Sequence, residues 1–283
     1  METLYYSRPE IKITASGVSI KINNDLFVIQ DLDKISNIMI TAKSGYISLY
    51  ALKLMALKNI TMTMNNINGE IIYHIIPEYP NRYIDNRIIQ YEAYLKNRKN
   101  IANRIIEIKR EKYNEILRKN HLPELTDKQE NLFSEIYMAH IGHLLNQYGY
   151  EYNSRQGFYK RQNRKATNPI NSLLNFYYGL IEHRLLTDIN YYGLDYNISF
   201  LHEPQYNKLP LTYDLIEFLR GSIDEVVLKL AKEKQIKNKD FQLTDKGYYL
   251  LKEESIKKYL MEIEPIEHKT KETVRDFIEI LNP

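Results

Sequence analysis

Hydrophobic and polar positions follow two different periods along this chain, and the change comes near residue 80. In the first part the alternation is short. The stretch "IKITASGVSIKI" alternates until Ser16-Gly17, a tight-turn signal between two strands. "KINNDLFVIQ" repeats the theme around Asn23, Asn24 and Asp25. "ISNIMIT", "NITMTMNN" and "GEIIYHIIP" are further β-branched or alternating runs. Between them, Ile47, Tyr50, Leu54 and Leu57 stand at helical spacing and predict a single helix. Residues 1–76 therefore read as a β-rich module. Pro77 and Pro80 in "IIPEYPNRY" interrupt the pattern and mark a linker over 77–84.

From residue 85 to 283 the pattern predicts helices. One runs from about Asp85 to Lys119 and another from Asp127 to Tyr148, with Thr126 as its cap and Gln129 as the capping-box partner. A third runs from Asn168 to about Tyr192. Pro169 suits its first turn, where a missing N–H costs nothing, and Gly193 ends it. Residues 213–235 read as one helix, and two shorter helical segments close the chain. The expected fold class is α+β: a β-rich N-terminal domain followed by an all-α domain.

Composition narrows the chemistry. At 283 residues with 43% hydrophobic and 27% charged positions, the chain can bury a sizeable core. The absence of cysteine excludes disulfides, thiolate metal sites and cysteine nucleophiles. "METLYYSRPE" does not read as a secretory signal, and no uncharged apolar run reaches the roughly 18 residues of a membrane span. A cytoplasmic protein is expected. The formal charge is only +3, but it is unevenly spread. Nine Lys or Arg stand against three Glu between Lys96 and Lys119, and five basic residues with no acid lie between Arg155 and Lys165. Such clusters can neutralise phosphates. The first also reads as a solvated helix face.

"AHIGHL" contains the string HIGH of class I aminoacyl-tRNA synthetases and related nucleotidyl transferases. Here it lies inside a helical pattern, with no strand before it and no KMSKS-like loop after it. His140 and His143 read as packed or surface helix residues. A second constellation is richer. Glu182 directly follows Ile181 beside the apolar stripe of Leu174, Tyr178, Ile181 and Leu185, where a carboxylate is costly unless paired, exposed or bound to a cation. The chain then turns at Gly193, presents His202, and re-enters a helix carrying Asp214 and Glu217 three residues apart. Carboxylates with one imidazole suit Mg²⁺ or Mn²⁺. The same residues also read as structural: Asp214 as a helix cap, Glu217 as a solvated side chain, His202 as the anchor of a turn.

The succession "NPINSLLNFYYGLIE", "GLDYNISFLHEP" and "YDLIE" resembles the Cas-one family of CRISPR-associated endonuclease-integrases, which insert new spacers. The β-rich region up to "GEIIYHIIP" and the helical start "NRYIDNRIIQYEAY" are similar to that family too. The resemblance implies that Glu182, His202 and Glu217 hold Mg²⁺ or Mn²⁺, with Asp214 as a further acid beside the last ligand. It implies that Tyr213 lies close to the DNA end. Arg161, Arg164 and Lys165, with Lys208, are the candidates for contacts to the DNA backbone. It further implies a homodimer through the β-domains, a small Cas-two family protein as partner, and prespacer and leader-repeat DNA as substrates. The reaction implied is transesterification, which needs no ATP; no G-x-x-x-x-G-K-[ST] string occurs. Two other readings use the same residues: a metal-dependent nuclease for branched DNA, and a non-catalytic DNA-binding or assembly subunit.

Overall fold

The computed structural model describes residues 2–66, 71–77, 83–150, 161–162, 165–204 and 208–282. The chain divides into two compact units. One runs to Tyr83 and adds Asn190–Gly193; the other takes Ile84–Ile189 and the chain from Leu194.

The first unit carries β1 (Glu2–Ser7), β2 (Glu10–Ser16), β3 (Ser19–Ile22), β4 (Asp25–Phe27), the short helix α1 (Ile29–Leu32), β5 (Ile35–Thr41), β6 (Ser44–Ile47), α2 (Leu49–Leu57), β7 (Thr61–Asn65) and β8 (Ile71–Ile75). They form two four-stranded sheets, ordered β1-β5-β7-β8 and β4-β3-β2-β6. The sequence alternation is visible in β2, where Ile11 and Ile13 are buried between exposed Glu10 and Lys12. By contrast β5 is buried residue after residue, because β1 and β7 flank it in parallel on both edges. Gly17 and Asn23 supply the positive φ that the turns on either side of β3 require. Residues of both sheets share one core with Ala51 and Met55 of α2.

That last contact corrects the expected helix face. Ser48 caps α2 by accepting the N–H of Ala51, and Ile47 belongs to β6. The helix so started turns Ala51 and Met55 inward and leaves Tyr50 and Leu57 exposed.

The second unit holds α3 (Ile84–Lys119), α4 (Glu130–Gln147), α5 (Pro169–Tyr191), α6 (Pro210–Ile216), α7 (Arg220–Lys232), a small hairpin of β9 (Phe241–Leu243) and β10 (Tyr249–Leu251), and α8 (Glu253–Leu281). The predicted bounds of α3 and α5 hold closely. α4 starts later than expected: Gln129 is its N-cap and makes no side-chain cap bond, while Asp127 accepts the Gln129 N–H in a preceding turn. The expected helix over 213–235 is two helices, broken at Glu217–Leu219. The expected pair of short C-terminal helices is one 29-residue helix that contains Pro265. Gly221 sets the approach of α7 to α3, since a Cβ there would stand 2.9 Å from the Lys112 carbonyl oxygen. Among the described residues no helix is long and apolar enough to cross a membrane.

Candidate functional site

The site is built from a loop, a helix end and one face of α3. After α5, Gly193 takes a positive φ and the chain leaves the helix. Gln90 of α3 holds the following turn: its Nε2 donates to the carbonyls of Asp195 and Ile198, and its Oε1 accepts the Asp195 N–H at 2.7 Å. From the other side the Asp214 carboxylate, fully buried, accepts the N–H groups of Phe200 (2.6 Å), Leu201 (3.0 Å) and His202 (2.9 Å). The same carboxylate lies 2.8 Å from His202 Nδ1. A carboxylate has about four lone-pair sites, and these contacts use them. Ionised Asp214 can only accept, so Nδ1 carries its proton and Nε2 is the basic nitrogen.

His202 Nε2 stands 3.9 Å from Oε1 of Glu217. Glu217 sits at the end of α6 with 1% side-chain exposure, which overturns its reading as a solvated residue. Lys109 Nζ lies 3.1 Å from Oε2, and Arg220 Nε lies 2.9 Å from the same oxygen. Both contacts are ionic: Oε2 is a buried acceptor without a well-directed hydrogen bond. Lys109 also meets Glu130 Oε1 of α4 at 2.5 Å. Burial works against the Arg220 charge, but Glu217 and its other neighbours outweigh it and raise the guanidinium pKa. A carboxylate this deep needs such partners, because taking an ion out of water costs several kcal/mol unless the charge is met.

Glu217 Oε1, 3.9 Å from His202 Nε2, forms with that ring nitrogen a carboxylate–imidazole donor pair of the kind that fits Mg²⁺ or Mn²⁺. Glu182 is half-buried on α5 beside fully buried Ile181. Among the described residues, no three His, Asp or Glu side chains stand together closely enough to hold a metal. The structure brings His202, Asp214 and Glu217 together, and among the described residues no three-ligand set, with or without Glu182, stands ready.

The predicted DNA contacts are placed unequally. Arg161 is half-buried, donates to the Gln162 carbonyl and to Asn171 Oδ1, and lies 5.0 Å from the centre of the Tyr178 ring. Lys165 and Lys208 are exposed. Tyr213 is half-buried, its ring centre 6.0 Å from that of His202. Arg164 lies outside the described residues. The cations over 96–119 are heavily used in ion pairs, such as Lys96–Glu92, Arg104–Glu107 and Arg118 with Glu111 and Glu124. His143 is exposed and meets Gln147, and His140 is half-buried, as expected of helix residues.

Two features were missed in the sequence. Lys109 occupies the apolar stripe Ile101, Ile105, Tyr113 of α3, and its place in that four-residue spacing was the available signal. Tyr178 lies between Arg161 and Arg220 (5.4 Å), and its hydroxyl points at Asp224 Oδ1 (3.4 Å). Tyr137 donates to the other Asp224 oxygen. Burial pushes the Asp224 carboxyl up to about 6, against the pull of those hydroxyls and of Arg161 and Arg220.

The family described as CRISPR associated protein Cas1 matches residues 4–136 and 124–265, and this chain belongs to that family. A CRISPR-associated endonuclease Cas1 of Thermodesulfovibrio yellowstonii is 34% identical over 97 residues, 34% of this chain and 30% of that protein. The match therefore spans about a third of the relative's length. A CAS1 protein from Thermotoga maritima shares the fold with a TM-score of 0.81 at 18% identity, covering 99% of this chain and 97% of the other. A casposase bound to integration product shares it with a TM-score of 0.79 at 23% identity, covering 99% and 90%.

Proposed function

We propose that this chain is a metal-dependent DNA integrase that inserts new spacers into a CRISPR array. The observation that carries the reading is the His202 arrangement: Nδ1 is committed to Asp214, while Nε2 faces Glu217. Such a carboxylate–imidazole pair fixes the tautomer and leaves one nitrogen for a cation. His202 and Glu217 would hold Mg²⁺ or Mn²⁺, with Glu182 as the third ligand implied by the family motif. When bound, the cation would position the scissile phosphate and lower the pKa of the attacking hydroxyl.

The remaining roles belong to the chain. Asp214 holds the 199–202 loop and orients His202. The 3′-hydroxyl of the incoming duplex forms a new P–O bond at the repeat boundary. The old P–O bond breaks, and its oxygen leaves as a 3′-hydroxyl that takes the proton given up by the nucleophile. One phosphodiester replaces another, so no nucleotide is consumed. Lys165, Lys208 and Arg164 would meet the DNA backbone, with Tyr213 beside the DNA end. Arg161 would contribute less directly, since its guanidinium is engaged with Tyr178 and Asn171. The casposase of the same fold was captured with an integration product, which supports strand transfer over simple hydrolysis.

The partners proposed are a second copy of the chain and a Cas2-type protein. Exposed Leu26, Leu49, Leu57 and Ile72 on the first unit support association through that unit. The test is an incubation of labelled prespacer duplex with supercoiled plasmid bearing a leader and repeat, with and without Mn²⁺ and the Cas2-type partner. Label joined to plasmid at the repeat boundary supports integration. Plasmid nicking with no joined label would favour a nuclease.

A further inference from the structure

Glu217 uses its two oxygens differently. Oε1 faces His202 Nε2, whereas Oε2 is flanked by Lys109 and Arg220. Lys109 is the unusual member. Its side chain is only 6% exposed, and its ammonium lies near the rings of Tyr113 (5.8 Å) and Phe133 (6.0 Å). A lysine so deep is not placed to meet a DNA phosphate, which needs an exposed cation. It forms ion pairs with Glu130 of α4 and with Glu217 at the end of α6.

Resting on the metal reading above, we infer that Lys109 is a built-in counter-cation of the ligand Glu217. It neutralises the buried carboxylate when no metal is bound. It also opposes the entry of a divalent cation, because an ammonium 3.1 Å from Oε2 repels any positive charge drawn to the same carboxylate. The chain thereby gains a stable metal-free state at the cost of metal affinity. Arg220 alone would leave Glu217 with one cation in place of two.

The test is calorimetric titration of Mn²⁺ into the DNA-free, full-length protein, paired with thermal melts. Wild type, Lys109→Met, Lys109→Gln and Glu217→Gln are compared. Lys109→Met removes the charge at similar length; Lys109→Gln also keeps N–H donors for both carboxylates and covers the case in which the Met variant does not fold. Either Lys109 variant should bind Mn²⁺ more tightly than wild type, by about tenfold or more, because removing a positive charge beside Glu217 lessens the repulsion that a divalent cation meets there. Both should melt lower than wild type without metal. A purely structural lysine would lower the melt and leave the affinity alone. Affinity equal to or weaker than wild type in the folded variants overturns the inference. Mn²⁺ binding that Glu217→Gln leaves unchanged overturns the metal reading, and this inference with it.

Discussion

The Nδ1 of His202 lies 2.8 Å from Oδ1 of Asp214, and the same carboxylate gathers the N–H groups of Phe200, Leu201 and His202. With those donors seated, Asp214 has no lone pair left for a cation, so its role is to hold the loop and the ring. Asp214→Asn would turn one acceptor into an N–H₂ that faces donors. The expected result is a lower melting temperature and a loss of Mn²⁺ affinity of about 10- to 100-fold, the usual effect of removing a group that orients a ligand. Mn²⁺ titration of strand transfer should show rescue at high metal. A variant with wild-type affinity would free Asp214 from this role.

The buried Asp224 gives the fold a pH signature. Its native pKa is raised from 3.8 to about 6, so the native state binds the proton more tightly than the unfolded chain. Its contribution is then fully present below pH 4 and is lost as pH rises through about 6. His74 slopes the other way, because burial lowers it to about 4 and folding is weakened as that pH is approached from above. The difference between Asp224→Asn and wild type isolates the carboxyl. The variant should gain relative to wild type between pH 4 and pH 7, by roughly 3 kcal/mol at most. Denaturant melts across that range measure it; a flat difference would contradict it.

Gly221→Ala should destabilise the helical unit. The added Cβ would stand 2.9 Å from the Lys112 carbonyl, against backbone that cannot swing aside. Overpacking of this kind costs about 1–3 kcal/mol. Because α7 begins with Arg220, a shift of the helix would also loosen the Arg220–Glu217 contact. Thermal unfolding gives the first effect and Mn²⁺ affinity the second.

Much of the frame was legible in the sequence because it was written locally. The bounds of α3 follow its long helical period, and Pro169 and Gly193 mark the ends of α5. Glu182, His202, Asp214 and Glu217 read as one candidate set from the sequence, and the structure brings the last three into contact. What was missed is set by packing at a distance. The break after Ile216 contains no proline; it turns Phe218 and Leu219 into the core and leaves Glu217 between Lys109 and Arg220. The inward face of α2 depends on where Ser48 starts the helix, and both Tyr50 and Leu57 were plausible core residues by spacing alone. Pro265 does not interrupt α8, whose buried face continues from Ile263 through Ile266 to Thr270. Lys109 looked like one cation in a charged helix, and only the partners on α4 and at the end of α6 distinguish it.

The basic residues before α5 should behave as phosphate contacts. Replacing Arg161, Arg164 and Lys165 together with alanine is expected to weaken duplex binding and to lower the slope of log K against log salt. Each lost contact removes about 0.9 from that slope. Arg161→Ala alone should change the slope least, because its guanidinium is held against Tyr178, and should cost stability instead. An unchanged slope for the triple variant would assign the stretch to structure.

The central claim is that His202 and Glu217 hold the cation on which DNA strand transfer depends. The direct measurement is strand transfer of a labelled duplex into supercoiled leader-repeat plasmid over a Mn²⁺ titration, for wild type, Glu217→Gln and His202→Ala. Glu217→Gln keeps the size of the side chain and removes its charge, and DNA binding is measured alongside. The account predicts joined product that rises with Mn²⁺ for wild type, and none at any Mn²⁺ concentration for either variant while DNA binding is largely retained. Near-normal joining by either variant would contradict it.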